Sequence, residues 1–150
     1  MYNKQDIQKG LNELTQEKNI IKRFYHLRSI QNFIHFFDEL ENIQLKEKVY
    51  SILIEYLEVV KKEPVEDIQH STALFDEYIR PVGNLYEKTL GFMPMISSWV
   101  IIFWCICLFG VVYIFNLSVI FYYIIGLFLS SYYFYILKKR TENKVYGLKW

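Results

Sequence analysis

From Thr89 to Leu137 the chain runs for 49 residues without an Asp, Glu, Lys, Arg or His. About 20 apolar residues already span a bilayer, and a 150-residue chain has no interior that could hide so long an uncharged run. The run excludes a wholly soluble enzyme. It also holds both cysteines, Cys105 and Cys107, so a secreted disulfide scaffold is excluded as well.

One helix of that length would measure about 70 Å, over twice the hydrocarbon thickness. Two spans joined by a tight turn fit better. Asn116-Leu117-Ser118 is the most polar point near the middle, which predicts spans over 95–115 and 118–137. Pro94 suits the first turn of the first span, where its missing N–H costs nothing, and Lys138-Lys139-Arg140 ends the second.

So short a turn puts both termini on one side. Residues 138–150 carry five basic residues against the single acid Glu142, and positive charge beside a span is retained inside. The expectation is an integral two-span protein with both termini on the cytoplasmic or organellar-matrix side, in a bacterial inner membrane or an organellar membrane. The first 19 residues hold six charges and no apolar core, so no signal peptide is expected.

The first 90 residues read as helices. Ile7, Leu11 and Leu14 share one helical face, Ile30, Phe33, Ile34, Phe37 and Leu40 a second, and Leu45, Val49, Leu53, Tyr56 and Val60 a third. Asn42 marks a turn, a further helix is expected over Val65–Ile79, and Pro81 and Gly83 should break or kink the pattern before Leu85–Leu90. No period-two alternation is long enough to make a strand. The expected fold is all-α: a bundle-like domain of about four helices over 1–90, a transmembrane hairpin over 91–137, and a basic cytoplasmic-side tail over 138–150.

Phe, Tyr, Met, Ile, Asn and Lys make up 68 of the 150 residues, and Ala73 is the sole alanine. Bulky aromatic and β-branched side chains must therefore do the packing that Ala and Leu usually share. On the second helix Tyr25, Phe33, Phe36 and Phe37 form an apolar arc wider than the roughly 100° that one core contact consumes. The arc is expected to face a protein partner or a membrane.

The spans contain no ionisable Asp, Glu, Lys, Arg or His, which argues against a proton relay or ion-coupled transport. Their tyrosines and Trp99 are placed as interfacial belts. Gly126 and Ser130 form a small-xxx-small pair with Gly110 at similar depth, and all three are expected to pack the spans closely. Cys105 and Cys107 diverge by about 200° on a helix and cannot bond to each other.

Catalytic chemistry is sparse. No glycine lies near enough to another to build a phosphate-cradling loop. His26 and His35 are half a turn apart on one helix, so they cannot share a metal, and His26 reads as a core histidine. Asp67 and His70 resemble half of a di-iron motif without its second half. No catalytic residue, cofactor or metal site is expected, and the scattered basic residues show no nucleic-acid stripe.

The expected partners are the lipid bilayer and other membrane or cytoplasmic-side subunits, including further copies of the chain. The leading functional expectation is a non-enzymatic membrane protein whose helical domain mediates interaction or assembly of a complex. Behind it stand an oligomeric pore-forming effector or its immunity protein, and then a membrane-surface enzyme.

Overall fold

A computed structural model describes residues 3–16, 24–95, 98–114 and 119–147. It is all-α apart from one short strand pair. Contact divides it into two units. The first contains residues up to Met95 together with those from Lys144 onward, and the second contains Ile96–Asn143.

In the first unit α1 (Lys4–Gln16) buries Ile7, Leu11 and Leu14. It crosses α3 (Ile43–Lys62) so closely that a Cβ at Gly10 would lie 2.9 Å from Leu57 Cδ1. Asn42 caps α3, its side chain accepting from the Gln44 N–H at 2.8 Å, and Lys61 and Lys62 occupy the last turn, where cations oppose the helix dipole. α2 (Leu27–His35) follows His26, which holds the left-handed conformation at φ 47°. The apolar pattern running on to Leu40 does not extend this helix, because the chain tightens into a 3₁₀ turn over Phe37–Glu39.

Asp67 caps α4 (Ile68–Leu74) by accepting from the His70 N–H at 2.7 Å. Of the break or kink expected at Pro81 and Gly83, the break does not occur. A wide π-helical turn over Phe75–Ile79 carries the chain directly into α5 (Arg80–Leu90), with Pro81 in its first turn. There the missing N–H leaves nothing unsatisfied. Gly91, at φ 66°, ends α5.

The core of this unit is rich in aromatic residues, and the hydroxyls of Tyr25, Tyr56 and Tyr86 are paired with backbone. Tyr86 donates to the Phe33 carbonyl at 2.8 Å and Tyr56 to the Tyr25 carbonyl at 2.7 Å. Tyr25 itself accepts the Val65 N–H at 2.9 Å. Desolvation holds the Tyr56 and Tyr86 phenols well above the ordinary tyrosine range, so both remain neutral donors. Such bonds allow a core to be built from tyrosine, since a buried hydroxyl without a partner costs about 1–3 kcal/mol.

The chain leaves and re-enters this unit through two short strands. β1 (Met93–Pro94) and β2 (Val145–Tyr146) pair in parallel, Met93 opposite Val145 and Pro94 opposite Tyr146. Pro94 thus lies in a strand rather than in the first turn of a span. The Met93 and Met95 N–H groups on either side of it donate to the Lys144 and Tyr146 carbonyls, so its own missing donor is not needed. Residues 144–147 are therefore part of the folded unit.

The second unit consists of α6 (Ser98–Ile114) and α7 (Val119–Thr141), which pack on each other. Phe109 and Tyr122 stack with centroids 6.0 Å apart and planes 12° from parallel. The turn expected at Asn116-Leu117-Ser118 lies outside the described residues. Lys138, Lys139 and Arg140 form the last turn of α7.

Candidate functional site

Ile120–Thr141 is long and apolar enough to cross a membrane, and only 6% of its apolar window is buried. Leu127, Phe128 and Phe134 are each about 70% exposed, at 71%, 72% and 69%. On α6, Phe103, Trp104 and Ile106 are exposed in the same way. Val112 on α6 and Ile136 on α7 are buried. Within water each exposed side chain would forfeit about 1.5–3 kcal/mol of burial energy, so the surface is suited to a lipid solvent.

The three small residues do not pack as expected. A Cβ added at Gly110 or Gly126 would meet nothing within 4 Å, and Ser130 is exposed. Neither glycine brings α6 and α7 into close approach. The pair is joined instead by large side chains, as the stacking of Phe109 on Tyr122 shows. Cys105 and Cys107 are both free and half-buried.

At the far end of α7, Glu142 lies 4.0 Å from both Lys138 and Lys139. The Lys139 ammonium sits over the Tyr135 ring, 5.6 Å from its centroid. Arg140 has no ion-pair partner among the described residues.

Tyr25, Phe33, Phe36 and Phe37 do not offer an interaction face. They are 4%, 0%, 8% and 2% exposed and belong to the unit's own core. The arc is wide because α2 is covered from several directions. Phe33 packs on Tyr86, Phe92 and Tyr146, and Phe36 meets Phe92 edge-on. Lys144 places its ammonium 4.9 Å from the Phe36 ring centroid.

Sequence reasoning missed the slot that receives β2. Asn32 Nδ2 donates to the Val145 carbonyl at 2.7 Å, and the Gly147 N–H donates to Ser29 Oγ at 3.1 Å. The Tyr146 hydroxyl lies 3.1 Å from Asn84 Oδ1 and 3.2 Å from Glu87 Oε2. Burial, reinforced by the Glu87 carboxylate, pushes the Tyr146 phenol up to about 12. Two-residue strands leave no periodicity to read. The only signal was an unexplained apolar pair, Val145-Tyr146, inside a charged tail.

His26 is buried, as a core histidine should be. Its Nε2–H donates to the Ser71 carbonyl at 2.9 Å, and Ser71 Oγ donates to the Phe24 carbonyl at 2.8 Å. Nδ1 is buried without a hydrogen-bond partner. The Phe75 ring packs 5.4 Å away. Desolvation holds His26 below the ordinary imidazole range, outweighing the opposite pull of the Ser71 carbonyl. Asp67 is engaged as a helix cap. Among the described residues no three His, Cys, Asp or Glu side chains are grouped to hold a metal.

Comparison of the chain with protein-family models, with curated proteins and with solved structures gives no match.

Proposed function

We propose that the chain is an integral membrane protein in which α6 and α7 cross the bilayer as a hairpin. In this reading the helical unit stays on the cytoplasmic or matrix side and joins a membrane complex, without chemistry of its own. The observation that carries it is the exposure of α7 along its apolar length, which a lipid solvent makes favourable.

Two features support the hairpin. The strands that lead into α6 and out of α7 are paired with each other, so both connections start from one place in the helical unit. The stacking of Phe109 on Tyr122, seven residues before and six residues after Asn116, also fits a reversal there. The side is argued from Lys138, Lys139 and Arg140. α6 rises about 26 Å at 1.5 Å per residue, somewhat short of the hydrocarbon thickness, but uncharged residues flank it at both ends.

Cysteine-accessibility labelling at Asn116 and Asn143, in a chain lacking Cys105 and Cys107, is expected to report opposite membrane sides. Labelling of both from one side would overturn the hairpin. The subunit composition of the native complex in mild detergent tests the role. A defined set of different proteins supports assembly, a homomeric ring would instead favour a pore, and a lone chain would remove both.

A further inference from the structure

We infer that the end of α7 binds the headgroup of an anionic phospholipid through Lys138 and Arg140. The inference rests on reading α7 as a membrane span. Helix-end cations commonly serve the last carbonyls of their own helix, but here two of those carbonyls are already occupied. The Lys138 carbonyl accepts from Thr141 Oγ1 at 2.8 Å and from the Glu142 N–H at 3.0 Å, and the Arg140 carbonyl accepts from the Asn143 N–H at 3.2 Å.

The side chains are equally under-used. Two of the three cations, Lys138 and Lys139, reach one carboxylate, Glu142, only at the 4.0 Å limit of an ion pair. Lys139 is 16% exposed and held over Tyr135, whereas Lys138 is 72% exposed. Arg140 has no ion-pair partner among the described residues, and its planar donors suit a phosphate. Charge therefore remains uncompensated at the point where the apolar helix surface ends, which is the depth of lipid phosphates. A phosphodiester there carries the missing negative charge while its acyl chains lie along α7. Glu142 is the internal competitor for the same cations.

The experiment is native mass spectrometry of the full chain in neutral detergent, titrated with phosphatidylglycerol or phosphatidylcholine. The wild type is expected to retain phosphatidylglycerol about fivefold or more over phosphatidylcholine, the scale of one juxtamembrane cation. Lys138→Gln with Arg140→Gln should bring the ratio to near one. Glu142→Gln should raise it, a change of opposite sign that loss of folding cannot mimic. Equal retention by the wild type, or a preference untouched by the double variant, overturns the inference. Displacement of the lipid by inorganic phosphate at equal concentration would also overturn it, by showing that the site reads phosphate alone. Alkaline carbonate extraction keeps the two claims apart. Release of the chain sinks the span, while the lipid ratio is measured in detergent regardless of topology.

Discussion

The ring of Tyr146 lies directly against the backbone of Gly83, so close that a methyl group on Gly83 would meet ring carbons at 2.2–2.5 Å. Glycine is required on α5 because the strand returning from α7 inserts its tyrosine there. The ring cannot simply step aside. Its hydroxyl is tied to Asn84 and Glu87, and its backbone is paired with β1. The last turn-and-strand of the chain and the fifth helix thus specify each other across more than sixty residues.

This relationship gives a test that turns on sign. Helix propensity alone makes Gly83→Ala stabilising by about 0.8–1 kcal/mol. Overpacking against Tyr146 should reverse that and cost about 1–3 kcal/mol. Thermal unfolding of the detergent-solubilised chain is expected to show a lower midpoint for Gly83→Ala. In a Tyr146→Ala background the same substitution should become neutral or stabilising. A higher midpoint in the wild-type background would show that the slot is not occupied as described.

His26 gives a pH dependence. In the unfolded chain its imidazole takes a proton near 6.5, whereas the folded chain resists protonation because the ring is desolvated and Nδ1 has no partner. The folded value is the lower one, so the unfolded state binds more protons as the pH falls below 6.5. Stability is therefore fully present above 6.5, and is lost as pH drops toward the folded value at no more than about 1.4 kcal/mol per pH unit. His26→Asn tolerates the left-handed backbone and does not titrate. Chemical unfolding at pH 7.5 and 5.5 should show a smaller acid loss for this variant than for wild type. Equal losses would assign the effect to other groups.

The Asp67–His70 pair illustrates what local spacing can and cannot report. Three residues apart, an acid and a histidine fit a metal motif and a helix cap equally well, and the structure shows the cap, with Asp67 accepting from the backbone of His70. Asp67→Ala is expected to destabilise the unit by about 1 kcal/mol, and Asp67→Ser should restore most of it. Chelator treatment should change neither result. A midpoint that falls on chelation would point back to a metal.

What the sequence made legible was whatever depends on neighbours along the chain. The apolar stripe from Val49 to Val60, the turn at Asn42 and the uncharged run were all visible, because each is a local pattern. Tyr25, Phe33, Phe36 and Phe37 were misassigned because an arc's width shows how much apolar surface exists and not how many elements cover it. Phe92 and Tyr146, from opposite ends of the apolar run, supply the cover. The slot for β2 was invisible for a similar reason. Ser29, Asn32, Gly83 and Glu87 share no spacing that singles them out, and only the return of the chain gives them a common partner.

Gly126 provides the last test, and here geometry reverses the sequence expectation. A small residue spaced four from Ser130 suggested close helix packing, in which a leucine would force α6 and α7 apart. The structure leaves the position open, with nothing within 4 Å of an added Cβ. If α7 spans the bilayer as proposed, a leucine there gains contacts with lipid tails, each worth about 0.1–0.2 kcal/mol, and removes glycine's helix penalty of about 1 kcal/mol. Gly126→Leu is therefore expected to leave the chain as stable as wild type or slightly more so. Val112→Ala, by contrast, removes buried contacts from α6 and should lower the unfolding midpoint in the same detergent. Size-exclusion chromatography in mild detergent separates this outcome from the alternative. If Gly126→Leu keeps its unfolding midpoint but elutes as a smaller particle, the open face of α7 is where another chain's helix packs. If it elutes unchanged, that face meets only lipid.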